Sequence, residues 1–317
     1  MTRPSLQAAP ASTSSTSATS ATSSTSPSYY AGRPASPGTR LLRWGLAASQ
    51  QLWPALAVRA AHRLFGTPLP PRWLAGLKRR KGWSPDWHIE PWPFENASLT
   101  LYSRPVAPHG PVVLLLHGWG GHAGQLRALA ELLAAQGLRP VLLEMPAHGR
   151  SGGQTSNLPQ FARALDYVMA RLQQQGYRLR AVVAHSLAAN AAAFAASRGL
   201  AAERLVLLAP PASPLAYTRL FAQVFGLREA TRAAMQRLIE AREGVLMPQF
   251  EPAAVGPRIT VPTLVVHDRQ DRINRFADGL AYSQAIAGAR LLATEGLGHQ
   301  KILKDAGVLR QISAFLG

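Results

Sequence analysis

From Ser98 onward, short runs of Val, Leu and Ala alternate with longer segments of helical periodicity, and this alternation constrains the fold most. The runs are Leu99–Tyr102, Val112–Leu116, Pro140–Leu143, Ala181–Ala184, Leu205–Leu208, Thr263–Val266 and Arg290–Ala293. Each is almost continuously apolar, the pattern of strands buried on both faces. Helical stretches such as Gln125–Gln136, Leu158–Gln175 and Leu187–Arg198 separate several of them. Parallel strands need such crossovers, so the expected fold is α/β, a mostly parallel central sheet flanked by helices. Pro210 to Arg258 holds helical material without a clear strand. It is expected to form a helical cap, about residues 210–258, over the strand ends.

The chain ahead of this domain (98–317) differs in kind. Residues 1–40 are mostly Ser, Thr, Ala and Pro, too poor in large apolar side chains to offset the entropy of ordering, and are expected to be disordered. Residues 41–97 read as a basic, aromatic-rich helical extension, with Trp53, Leu56, Ala60 and Leu64 at helical spacing and Pro54 in the first turn. Residues 1–85 hold eleven of the 34 Lys and Arg and no acidic residue, so most of the +18 net charge lies there. Six of the seven Trp fall between Trp44 and Trp92, around Lys78-Arg79-Arg80-Lys81. Basic plus aromatic is an interfacial pattern, and residues 41–85 are a candidate for peripheral contact with anionic membrane. The competing expectation is that these aromatics pack onto the α/β domain. Leu41–Phe65 is broken by Arg43, Gln50, Gln51, Pro54, Arg59 and His62, which argues against a transmembrane span. No specific nucleic-acid partner is expected. The chain has no cysteine, which excludes a disulfide framework, a thiolate metal site and a cysteine nucleophile. Together with the absence of a secretory apolar core near the N-terminus, this gives a cytoplasmic expectation, with membrane association through the basic segment.

Two strand–turn–helix junctions carry chemistry. The first is Val112–Leu116 followed by His117-Gly118-Trp119-Gly120-Gly121-His122-Ala123. Gly118, Gly120 and Ala123 fit a dinucleotide-binding fingerprint, and Glu144 ends the next strand where a ribose-binding carboxylate would stand, so a nicotinamide-dependent Rossmann oxidoreductase is one reading. His117 and His122 also form a metal-pair candidate, without a third ligand at a convincing spacing. The second junction is Arg180–Ala184, His185, Ser186, Leu187, Ala188. A serine at such a turn is lifted out of the sheet with a helix N-terminus behind it.

Four separated motifs together resemble the α/β-hydrolase fold superfamily, over about Ser98 to Gly317. The His117-Gly118 run resembles its oxyanion loop, and Ala184-His185-Ser186-Leu187-Ala188 resembles its G-x-S-x-G elbow with alanine at both glycine positions. Glu144-Met145-Pro146-Ala147-His148-Gly149-Arg150-Ser151 resembles its D-x-P-G-H-G-x-S turn, which gives His148 a loop-ordering role. Asp271 follows the Thr263–Val266 strand, with Asp268 as competitor, and His299 follows the last strand between Gly298 and Gln300. By this resemblance Ser186 is the nucleophile, His299 the base, Asp271 its orienting acid, and the amides of Trp119 and Leu187 the oxyanion hole. It implies a serine hydrolase acting on a small-molecule ester or thioester with a hydrophobic acyl group, needing no cofactor or metal. Leu215, Leu220, Phe221, Val224, Phe225, Leu238 and Met247 in the cap suggest an apolar pocket or the cap's own core. A non-catalytic binding protein on the same fold is a further reading, supported only by the two alanines beside Ser186.

Overall fold

The computed structural model describes residues 37–68, 82–105 and 110–317. Eight strands form one sheet in the order β1-β2-β4-β3-β5-β6-β7-β8. β1 (His88–Phe94) and β2 (Ala97–Ser103) make an antiparallel hairpin, and β2 pairs antiparallel with β4 (Arg139–Glu144). The remaining neighbours are parallel: β3 (Val112–Leu116), β5 (Leu179–His185), β6 (Arg204–Leu208), β7 (Thr263–Asp268) and β8 (Arg290–Thr294). All seven apolar runs are strands. β1 is additional, inside the stretch 41–97 expected to be helical. Pro91 and Pro93 disguise it, because proline removes ladder donors. β1 is an edge strand paired on one side only, where those donors are not needed.

The longer helices are α1 (Pro37–Leu52), α2 (Pro54–Phe65), α3 (Arg127–Ala135), α4 (Leu158–Gln174), α5 (Leu187–Ala196), α6 (Pro214–Phe225), α7 (Glu229–Glu243), α8 (Phe276–Ala285) and α9 (Ala306–Leu316). Period-two alternation sorts the central strands between two cores. Val112, Leu114 and Leu116 join the side covered by α4 and α5, whereas Val113 and Leu115 join the side covered by α3 and α9. In α5 the buried alanines Ala188, Ala189, Ala191 and Ala192 let the helix lie close to the strands behind it.

α6 and α7 fill the expected cap interval between β6 and β7. α1 and α2 pack on them, Leu46 and Ala61 sharing a core with Phe221, Phe225, Met235 and Ile239. The side-chain amide of Gln50 closes the break between α6 and α7. It accepts from the Arg228 N–H at 2.7 Å and donates to the Gly226 carbonyl at 3.2 Å.

Residues 37–40, expected to belong to a disordered tail, form the first turn of α1. Residues 1–36 and the basic run Lys78-Arg79-Arg80-Lys81 lie outside the described residues, as does Trp73. The aromatics divide. Trp87 and Trp92 are buried in the α/β domain and Trp83 packs on Trp87 and Tyr102, whereas Trp44 and Trp53 are 77% and 62% exposed. Among the described residues no helix is long and apolar enough to cross a membrane.

Candidate active site

β5 delivers the chain to Ser186, whose backbone sits at φ 55°, ψ −127° before α5 begins at Leu187. A non-glycine residue there is strained, and such strain persists only where its surroundings enforce it. The Ser186 N–H donates to the Leu208 carbonyl of β6 at 2.8 Å. Ala184 and Ala188 are fully buried where strand and helix approach. Gly118 lies directly against the serine: a Cβ on it would stand 2.6 Å from the Ser186 Cβ. The turn after β3 is thus pressed onto the elbow after β5. The Leu187 amide is in the first turn of α5, where geometry leaves N–H groups without an intrahelical acceptor.

The loop after β7 brings Asp271 to His299, with Asp271 Oδ2 and His299 Nδ1 at 2.7 Å. Asp271 Oδ1 accepts the backbone N–H groups of Ile273 at 2.7 Å and Asn274 at 3.0 Å. His267 Nε2 lies 3.6 Å from Asp271 Oδ2. Burial alone would raise the Asp271 carboxyl, but the His267 and His299 rings and the Ile273 amide outweigh it and hold the group well below the usual carboxylate range. Asp268 occupies a different place. Its Oδ2 accepts Thr294 Oγ1 at 2.8 Å and the Leu297 N–H at 3.0 Å, so it fixes the loop that carries His299.

Ser186 and His299 line one cavity of about 260 Å³ with Gly118, Trp119, His185 and Gln300. Among the described residues no direct hydrogen bond joins the two side chains; in a ligand-free site this bond is often long. A second, apolar cavity of about 90 Å³ also opens on Ser186, Trp119 and Leu187. Its far walls are Phe65, Tyr217, Met247 and Phe250. Ser186 therefore stands where the two cavities meet, and His299 lines only the first.

Of the seven cap residues that suggested a pocket, Met247 alone lines the apolar cavity. Phe221, Phe225, Leu215 and Val224 face the core shared with α1 and α2, and Leu238 is exposed. The reason is helical geometry: one stripe of α6 must bury against the N-terminal helices.

The remaining histidines are committed elsewhere. His117 accepts the Met145 N–H at Nε2 (3.1 Å) and contacts the Gly118 carbonyl through Nδ1 (2.8 Å). His148 accepts the Gly120 N–H at Nε2 (2.9 Å) and contacts the Pro146 carbonyl through Nδ1 (2.8 Å). Both rings tie the glycine turn to the loop after β4, so the metal-pair reading of His117 has no free nitrogen to use. His185 donates from Nε2 to the His299 carbonyl at 3.1 Å, and its ring centroid lies 4.6 Å from that of His299. Burial, and next the neighbouring His299, push the His185 ring well below the ordinary imidazole range, which keeps it neutral. Glu144 is also committed: its buried carboxylate accepts from Tyr102 Oη (3.1 Å), the Ala123 N–H (3.3 Å) and the Arg150 N–H (2.5 Å). It ties β2 to the turns after β3 and β4 rather than facing a ribose, and the glycine turn faces Ser186 rather than a pyrophosphate site.

Sequence reasoning missed Phe65, Tyr217, His267 and Asn274. Tyr217 of the cap donates to Asn274 Oδ1, and Asn274 Nδ2 donates to the Ala209 carbonyl at 2.7 Å, which links the cap to the loop holding Asp271. Helical spacing is the only signal that pointed at this part of α2.

Residues 107–253 match the model of a hydrolase family described as serine aminopeptidase, S33. The match includes Ser186 and ends ahead of Asp271 and His299. Solved structures agree on the fold. An esterase from Pyrococcus furiosus is 18% identical with a TM-score of 0.58, over 79% of this chain and 97% of that one. The thioesterase domain of the curacin biosynthetic pathway is 22% identical with a TM-score of 0.54, over 73% and 98%. A bacterial membrane phospholipase A is 18% identical with a TM-score of 0.55, over 88% and 96%. No curated protein sequence matches the chain. The chain has the α/β-hydrolase fold. Within that class it is an α/β-fold hydrolase, similar to esterases and lipases.

Proposed function

We propose that the enzyme cleaves a carboxylic ester or thioester with a hydrophobic acyl group through an acyl-enzyme on Ser186. Ser186 Oγ attacks the carbonyl carbon and its proton passes to His299 Nε2, while Asp271 holds Nδ1–H and stabilises the imidazolium. The amides of Trp119 and Leu187 receive the oxyanion. His299 then returns the proton to the leaving oxygen or sulfur as the acyl C–O or C–S bond breaks, and water repeats the sequence in reverse roles.

The observation that carries this reading is the position of Ser186 between two unlike cavities. A proton donor must reach the leaving group, so the leaving group belongs in the cavity that His299 lines. The acyl chain then occupies the apolar cavity bounded by Phe65, Met247 and Phe250. The test is labelling with a fluorophosphonate probe, wild type beside Ser186→Ala, with peptide mapping. Labelling confined to Ser186 is expected. Unchanged labelling in the Ser186→Ala protein, or none in folded wild type, refutes the assignment.

We also infer that the enzyme is cytoplasmic and that residues 41–85 make peripheral contact with anionic membrane. The eleven basic and no acidic residues of 1–85 support the membrane contact.

A further inference from the structure

Resting on that membrane reading, we propose that the outward face of α1 and α2 is the docking element, its occupant an anionic bilayer surface. We further propose that the substrate is an amphiphilic ester drawn from that surface. Each helix has two distinct sides. Leu46 and Gln50 of α1 and Ala61 of α2 are buried against the cap, and Ala57 of α2 is buried as well. On the other side of α1, Leu41, Trp44, Ala48 and Leu52 follow one another at intervals of three, four and four residues, a single helical stripe, and all are exposed. Trp53, Leu56 and Ala60 continue it at intervals of three and four along α2, also exposed. Leu41 and Trp44 are 76% and 77% exposed, Leu52, Trp53 and Leu56 between 56% and 64%. Two tryptophans and three leucines on one solvent-facing surface are not what a helix pair serving only as cap support requires.

Charge selects the occupant. Arg40 and Arg59 are exposed on these helices and neither is in an ion pair among the described residues, whereas Arg43 shares the stripe of Leu46 and Gln50 and lies beside Gly226 of the cap. A second copy of the chain meeting this face through a two-fold axis would set arginines against arginines. An anionic lipid surface accepts both features at once, with indole rings at headgroup level, leucines below them and guanidinium groups on phosphates. The helices are amphipathic and too short and polar to span, so the contact is peripheral. The connection to the site is direct. α2 ends at Phe65, which lines the apolar cavity on Ser186, so the end of the stripe at Ala60 is about 7.5 Å along the helix axis from the acyl pocket.

The experiment uses the full chain with Ser186→Ala, which leaves docking independent of turnover, in co-sedimentation with phosphatidylcholine vesicles with and without 30% phosphatidylglycerol. Binding is expected only with phosphatidylglycerol. It should fall at least tenfold in Trp44→Ala/Trp53→Ala, and about fivefold for each of Arg40→Gln and Arg59→Gln. With Ser186 restored, Trp44→Ala/Trp53→Ala should hydrolyse a soluble short-chain ester at the wild-type rate and a vesicle-embedded ester at least tenfold more slowly. Equal binding to both vesicle types, binding unmoved by the tryptophan pair, or a concentration-dependent dimer abolished by the same pair would each overturn the proposal. Loss of soluble-ester hydrolysis in Ser186→Ala bears on the hydrolase reading alone.

Discussion

Replacing Asp271 by Asn tests the site at its most determined point. The two carboxylate oxygens are held differently: Oδ1 accepts two backbone N–H groups, at 2.7 and 3.0 Å, and Oδ2 meets His299 Nδ1 at 2.7 Å. An asparagine must keep its oxygen on the two backbone donors, since reversing it would set its NH2 against both. Its NH2 is thereby aimed at His299, which can only accept at Nδ1 by moving its own proton to Nε2. That tautomer cannot take the Ser186 proton. Loss of the charge-assisted hydrogen bond accounts for about 1.5–3 kcal/mol, and the tautomer change supplies the rest of a total near 5.4 kcal/mol, or about 10⁴-fold in kcat. The assay is kcat on a chromogenic ester for Asp271→Asn beside Asp268→Asn. Because Asp268 anchors Thr294 and Leu297 instead, its variant should lose about 1–3 kcal/mol of stability and much less activity than Asp271→Asn. If Asp271→Asn keeps a tenth or more of wild-type kcat while Asp268→Asn loses several orders, the orienting acid is Asp268 and the reasoning fails.

Two further outcomes follow from the same geometry. Gly118→Ala places a methyl 2.6 Å from the Ser186 Cβ, so the elbow or the turn must shift; kcat should fall about 10²-fold and stability by about 1–3 kcal/mol, and an unchanged kcat would show that the two turns are not in register. The folded-state carboxyls of Asp271 and Asp268 are both depressed, so their contribution to stability is fully present above the unfolded aspartate value of about 3.9 and is lost as pH falls through the folded values. Tm by calorimetry should therefore fall as pH drops below about 4, less so in Asp271→Asn, and a variant as acid-sensitive as wild type would remove Asp271 from the account.

The sheet was legible because its signals are local. Runs such as Val112–Leu116 and Ala181–Ala184 are buried on both faces, so composition alone marks them. β1 was not, since an edge strand with Pro91 and Pro93 reads as coil and acquires its state from pairing with β2. The choice between pocket and core for the cap hydrophobics stayed open in the sequence for a related reason. A run of cap hydrophobics does not say which stripe faces the site, and that is decided by α1 and α2, distant in sequence and packed on the far side of α6 and α7. Phe65, invisible as a pocket residue, reaches the cavity through the same packing. Glu144 in place of Asp also gains meaning only in three dimensions, where its longer stem reaches Tyr102, Ala123 and Arg150.

The histidines sharpen the point. His117, His148, His185, His267 and His299 all gather around the strand ends, and residue type cannot rank them. Their nitrogens can. His117 and His148 have both nitrogens engaged with backbone. His185 and His267 each spend Nε2 on a backbone carbonyl, and each has a buried Nδ1 without a hydrogen-bond partner among the described residues, so neither can exchange a proton with a substrate. His299 has Nδ1 fixed on a carboxylate and its ring at the wall of a cavity that Ser186 shares, which leaves Nε2 as the nitrogen able to carry a proton between the two. A general base is defined by that combination, one nitrogen anchored to a charge and the other open to the reacting atoms. The buried neutral His185, donating to the His299 carbonyl, then supports the proposed base from behind without adding a positive charge that would oppose formation of its imidazolium.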